Sequence, residues 1–224
     1  MVRHAGPPGP HPTRQDRPHP HQIPFDPGGP FALVNDLGLD RTYVYRLDRA
    51  PGRLVPNDPP FVSAAPGAGP RHLAFHPSRR FVYVLNEIDS TIQAYGYDGE
   101  RGVLSALERV STLPSGWRGE NSTAQIVANP SGRFVYASNR GHDSIAIFGV
   151  DEASGRLTPA GHEPTRGRTP RNFDLDPKGA FLLAANQDSD TVVPFRVDPA
   201  TGALAPTGQV VEAGSPSCVV FLDD

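Results

Sequence analysis

The sequence predicts an all-β chain, a β-propeller of four-stranded antiparallel blades, with about four blades and one further strand in its 224 residues. Three observations carry this. Glycine (23) and proline (26) together make up about a fifth of the chain, a punctuation that favours many short elements joined by turns. Val, Ile, Phe and Tyr recur at alternate positions in short runs, and no window keeps a helical period over three turns. Finally, the whole pattern repeats four times, with a period near 50 residues.

Each repeat opens on an apolar run closed by proline: HQIPFDP (21–27), RHLAFHP (71–77), AQIVANP (124–130) and RNFDLDP (171–177). The residues before those prolines, Asp26, His76, Asn129 and Asp176, read as turn formers. An aromatic-led second run follows: FALVND from Phe31, FVYVLNE from Phe81, FVYASNR from Phe134 and FLLAANQ from Phe181. The third is TYVYRLD, TIQAYGYD, SIAIFGVD or TVVPFRVD, and a fourth starts at GRLVP, GVLSAL, GRLTP or GALAP. The units are therefore 19–68, 69–121, 122–168 and 169–214, with 1–18 as a linker or partial strand. SPSCVVFLDD (215–224) begins a fifth unit and is expected to be an orphan first strand, a piece of edge without a neighbour. A β-sandwich, a β-solenoid or a closed four-bladed ring with a spare strand are the competing readings. Four matched repeats favour the propeller, and the orphan strand favours the C-terminal part of a larger one.

Composition excludes several function classes. Hydrophobic residues at 37% and charged residues at 20% describe a chain with a core. A net charge of −3 offers no basic surface, so no nucleic-acid partner is expected. One cysteine, Cys218, excludes an internal disulfide and a cysteine-based zinc site, and reads as a small buried hydrophobe. The histidines of HPHPH have no carboxylate spaced to complete a metal site, and no glycine-rich phosphate loop occurs, so neither metal nor cofactor is expected. The N-terminal MVRHAGPPGPHPTRQDRPHPH has no apolar run and reads as neither leader nor anchor. The expectation is a soluble cytoplasmic protein without a membrane partner.

Laying the repeats in columns locates the chemistry. In a propeller blade the start of strand one and the end of strand two share one rim. Six residues before each repeat proline stand His21, Arg71, Ala124 and Arg171, with Ser217 in the fifth unit. At the exit of strand two stand Asp36, Glu87, Arg140 and Gln187. Arg71 is expected opposite Glu87, close enough for a cross-strand pair. Equivalent positions thus carry different residues, which a purely structural repeat does not require. His142 either orients Asp143 in its turn or faces the channel; Glu120 and Asn121, on the loop before the third unit, either line the mouth or shape the loop. Trp117 reads as packing.

These motifs resemble the β-propeller lactonase family of bacterial 6-phosphogluconolactonases and fungal carboxymuconate-lactonizing enzymes. The resemblance lies in PHPHQI, GAGPRHLAFHP, YVLNE, STLPSGWRGENS, SNRGHDSIAIF, TPRNFDLDP, ANQDSDTVVPF and SPSCVVF, and covers nearly the whole chain. It implies seven blades, of which this chain would hold the last four and one strand, and a monomer for the complete ring. It also implies a catalytic set of His21, Arg71, Glu87 and Arg140, with His19 as the rival to His21. Arg171, His142, Glu120 and Asn121 are the candidate substrate-binding positions.

Lactone hydrolysis needs a base for water and a cation where the carbonyl oxygen becomes an oxyanion. Either Glu87 or His21 serves as base, while arginines stabilise the oxyanion and bind a substrate phosphate or carboxylate. The resemblance implies 6-phospho-D-glucono-1,5-lactone as substrate, a small anionic lactone, giving 6-phosphogluconate. Two other readings stay open: closure of a muconate dicarboxylate to a lactone, and a non-catalytic propeller acting as a binding module.

Overall fold

The computed structural model describes residues 2–221, and among them the only helical element is one 3-10 turn, Gln187–Ser189. Four antiparallel sheets follow the four repeats. The first is β1 (Pro20–Gln22), β2 (Phe31–Asp36), β3 (Arg41–Asp48) and β4 (Arg53–Ser63). The second is β5 (Pro70–Phe75), β6 (Phe81–Asn86), β7 (Thr91–Asp98) and β8 (Val103–Ser111). The third is β9 (Ser122–Ala128), β10 (Phe134–Arg140), β11 (Ser144–Val150) and β12 (Leu157–Pro164). The fourth is β13 (Pro170–Leu175), β14 (Phe181–Asn186), β15 (Thr191–Val197) and β16 (Leu204–Pro206), with β17 (Val211–Glu212) also on β15. The chain divides into two compact units, Met1–Arg109 and Val110–Asp224.

The second strand of each sheet is apolar on both faces, as FALVN and FVYVL show, because it is covered from both sides. In the first unit Phe31, Leu33 and Val44 pack against Leu73, Val82 and Val84. The opposite face of the first sheet, Val34, Tyr43 and Tyr45, meets the N-terminal segment: the His4 ring stacks on Tyr43 at 3.9 Å. In the second unit Phe134, Tyr136 and Ile147 pack against Phe173, Leu182 and Phe195. Each such fully buried side chain stabilises its unit by about 1.5–3 kcal/mol. The residues before the repeat prolines do form the turns. Asp26 N–H donates to the carbonyl of Phe31, His76 to Phe81, Asn129 to Phe134 and Asp176 to Phe181.

Each first strand carries a bulge at the same place. Pro70 pairs with Asn86 but His72 with Leu85, so Arg71 is the extra residue. His21 and Arg171 are extra in the same way in β1 and β13, and the corresponding shift in β9 falls at Ala124 and Gln125. A bulge bends its strand and re-aims the inserted side chain. The column of first-strand residues is therefore also the column of bulges.

Three expectations are corrected. Asp36 does not share a column with Glu87: Asp36 pairs with Arg41 as Asn86 does with Thr91, Asn139 with Ser144 and Asn186 with Thr191. Leu37 is the true counterpart of Glu87, and both their N–H groups donate to the residue before the first-strand proline, His19 and Gly69. The dipeptide Asn35-Asp36 imitates Asn86-Glu87 one residue early, which misled the count along the chain. Nor do residues 215–221 form a strand, because no neighbouring strand among the described residues supplies ladder partners; residues 222–224 of that expected strand lie outside the described residues. One first-strand bond is nevertheless made. Val219 N–H donates to Oδ1 of Asn172 at 2.8 Å, as Leu73 N–H donates to Oε1 of Gln22 at 2.7 Å. Cys218 is exposed, not buried, since it lacks a sheet to pack into.

Candidate active site

In the first unit the bulge on β5 and the exit of β6 bring Arg71 and Glu87 together. Nε of Arg71 lies 2.8 Å from Oε2 of Glu87, and the two side chains are 3% and 2% exposed. An ion pair so buried persists only with its hydrogen bonds made, and removing one partner strands the other's charge. Oε1 of the same carboxylate is engaged by Nη2 of Arg14, whose side chain is 48% exposed.

Nη1 of Arg71 reaches Nε2 of His21 at 3.0 Å and Nε2 of His72 at 3.4 Å. A guanidinium only donates, so both imidazole Nε2 atoms accept from it. His21 is thereby held neutral with its proton on Nδ1. The His21 and His72 rings meet edge to face at 5.0 Å. His19, the rival histidine, points elsewhere: its Nε2–H donates to Asp16 at 2.7 Å, and that bond holds the Asp16 carboxyl below the usual carboxylate range.

Arg14 and His72 are site neighbours that sequence reasoning missed. His72 was adjacent to a chosen residue and could have been named. Arg14 could not, because it comes from a segment without strand periodicity that reads as a linker. That segment is in fact fastened down. Gln15 is 1% exposed and its amide donates to the carbonyl of Leu37 at 2.8 Å and to Oδ1 of Asp40 at 2.7 Å.

The second unit holds the other candidates. Arg140, at the exit of β10, donates from Nη2 to the carbonyl of Thr123 at 2.7 Å. It lines a shallow cavity of about 370 Å³ with Glu120, Asn121, Ser122, Gly141 and Thr169. Asn121 ties this loop to the sheet, donating to Oδ1 of Asn139 at 3.1 Å and accepting from His142 N–H at 3.1 Å. His142 does not bond the Asp143 side chain. Its Nδ1 is 2.6 Å from Oγ of Ser144, and its ring packs edge-on against Trp117 at 4.6 Å and His162 at 5.5 Å. Burial, followed by the His162 charge, pushes the His142 pKa down from its ordinary value. Arg171, half-buried on the β13 bulge, has no hydrogen-bond or ion-pair partner among the described residues.

Among the described residues no group of three or more His, Cys, Asp or Glu could hold a metal ion. What the first unit can do is chemical in another sense. A buried carboxylate, a buried guanidinium and a neutral imidazole meet where a bulge and a turn leave the sheet edge.

A family model described as a seven-bladed β-propeller lactonase matches residues 1–221. The 6-phosphogluconolactonase of Bacillus subtilis is 39% identical over 168 residues, 75% of this chain and 47% of its own length. The periplasmic gluconolactonase of Pseudomonas aeruginosa superposes with a TM-score of 0.89 at 37% identity, covering 95% of this chain and 59% of that one. A Lactobacillus plantarum protein superposes with a TM-score of 0.92 at 35% identity, covering 99% and 63%. The chain spans about half the length of the curated relatives it matches. With four bulged antiparallel sheets, a paired Arg71 and Glu87 on one of them, and a family match running almost end to end, the chain belongs to the seven-bladed β-propeller lactonase family.

Proposed function

We propose that this chain carries the hydrolytic site of a lactonase acting on an anionic sugar lactone, 6-phospho-D-glucono-1,5-lactone, and yields 6-phosphogluconate. The observation that carries the proposal is the buried Arg71–Glu87 pair with His21 on the same guanidinium. Its relatives named 6-phosphogluconolactonase and gluconolactonase support the substrate class.

The roles follow from proton inventory. His21 Nε2 is occupied by an N–H of Arg71, so that atom is not the base in this arrangement. Glu87 is then the group that takes the proton of the attacking water. The water oxygen bonds to the lactone carbonyl carbon, the carbonyl oxygen becomes the oxyanion, and Arg71 stabilises it. Breaking the ring C–O bond returns the proton from Glu87 to the departing ring oxygen. Arg71 is fixed by its own ion pair, so it needs no reorganisation as charge develops.

The test is hydrolysis of freshly made 6-phosphogluconolactone by the purified chain, followed through coupled oxidation of the product with spontaneous hydrolysis subtracted. Turnover above background is expected, falling by about 10²–10⁴ in Glu87→Gln. A background-only rate from a chain that melts cooperatively would overturn the proposal.

A further inference from the structure

We propose that Arg14 is an anion-operated gate on Glu87: its guanidinium closes on the carboxylate until an anionic group of the substrate draws it away. This rests on the lactonase reading above and adds a specificity residue to it. Both oxygens of Glu87 are engaged, Oε2 by Arg71 and Oε1 by Arg14, so a guanidinium stands on each, and adding a proton while both remain is opposed by two positive charges. The two arginines differ in which can leave. Arg71 is 3% exposed and also donates to His21, so freeing it would strand a buried charge. Arg14 is 48% exposed, and swinging it outward keeps its charge in water.

Its backbone, in contrast, is held. His11 Nδ1 accepts the N–H of Arg14 at 3.2 Å, and the next residue, Gln15, is bonded to Leu37 and Asp40. A held backbone with a half-exposed guanidinium suits a group that exchanges one anion for another. A phosphate offers the same fork-shaped recognition as a carboxylate and carries more charge. Transfer of Arg14 from Glu87 to that phosphate removes its positive charge from Oε1. Oε1 then accepts the proton of water as its oxygen bonds to the lactone carbon, and returns it to the ring oxygen as the ring C–O bond breaks. A lactone without an anionic group neither binds Arg14 nor opens the gate, so selectivity arises in the rate as well as in affinity.

Two readouts test this. The first is calorimetric binding of 6-phosphogluconate and of gluconate to the wild type, Arg14→Gln and Arg14→Lys, with Arg17→Gln as control, since the Arg17 side chain is 74% exposed and its Nε lies 3.9 Å from Asp16. The wild type should prefer the phosphorylated acid. Arg14→Gln should lose that preference about tenfold or more, Arg14→Lys part of it, and Arg17→Gln none. The second is the ratio of kcat/KM for the phosphorylated over the unphosphorylated lactone, which should fall in Arg14→Gln with KM for the phosphorylated substrate rising. No preference in the wild type overturns the gate, as does an Arg14→Gln variant that binds both acids like wild type or weakens both equally. Absence of turnover in the wild type would overturn the lactonase reading while leaving the binding arm to decide the gate.

Discussion

The exits of β6 and β10 share a backbone and differ in charge. Each carries a fully buried asparagine, Asn86 or Asn139, followed at once by a charged residue, Glu87 or Arg140. At the first exit the bulge on β5 presents Arg71, and the carboxylate becomes the centre of a network with Arg14 and, through Arg71, His21 and His72. At the second the bulge on β9 presents Ala124, and Arg140 turns to the Thr123 carbonyl instead. The column of Asp36, Asn86, Asn139 and Asn186 is buried throughout, while the next column changes from Leu37 to Glu87, Arg140 and Gln187. What differs between equivalent repeats is thus chemistry, and what stays constant is scaffold.

The comparison breaks most sharply at Glu87. Glu87→Gln leaves the buried Arg71 without its counter-charge, an expected loss of about 3–5 kcal/mol. Arg140→Gln removes a bond to a carbonyl from a half-buried side chain and should cost about 1 kcal/mol. Denaturant titrations of the two variants check this, and equal losses would mean the exits are energetically alike. Arg71→Met combined with Glu87→Leu should restore stability to within about 1 kcal/mol of wild type, because a buried pair replaced whole by apolar groups is near neutral. The same double variant should show no turnover, separating the pair's contribution to function from its contribution to folding.

The scaffold column sharpens the comparison from the other side. Asn139 donates to the Thr112 carbonyl at 2.8 Å and accepts from Oγ1 of Thr112 at 2.7 Å and from Asn121. Asn139→Ala should cost about 1–3 kcal/mol, since its bonds to the hydroxyl and carbonyl of Thr112 and to Asn121 are lost from a buried site. Asp36, in the same column, faces donors only: the N–H groups of His19, Gly38 and Leu39 at 2.8, 3.1 and 3.2 Å, and His4 at 2.5 Å. Asp36→Asn should therefore destabilise even though asparagine fills the other three positions, and a neutral result in a thermal melt would remove the donor-set explanation.

The smallest effect is in pH. His142 is harder to protonate in the folded chain than its ordinary value of 6.5, mainly through burial and then through His162, with Asp143 opposing. The unfolded chain consequently binds more protons just below that pH. Stability is fully present above about pH 6.5 and falls as the pH drops through it toward the folded-state value. The melting temperature of the wild type should decline on acidification more steeply than that of His142→Gln. Parallel declines would assign the acid sensitivity to other groups.

Much of this was legible along the chain. The four repeats, the turn residues before the prolines and the pairing of Arg71 with Glu87 follow from hydrophobic periodicity and from a hairpin, whose contacts are local in sequence. The bulges, the true column of Asp36 and the place of Arg14 were not. A bulge is an offset between two strands, visible only when both are paired, and without it Asn35-Asp36 and Asn86-Glu87 look alike. Arg14 lies 73 residues from Glu87 in a segment rich in proline and glycine with no period to read. Its position is decided by tertiary contacts alone, the amide of Gln15 on Leu37 and Asp40 and the N–H of Gly9 on the Gly38 carbonyl. Composition and periodicity determine which strands form, because they encode which faces must leave water. Which charges then meet depends on contacts between distant segments, and no local pattern records those.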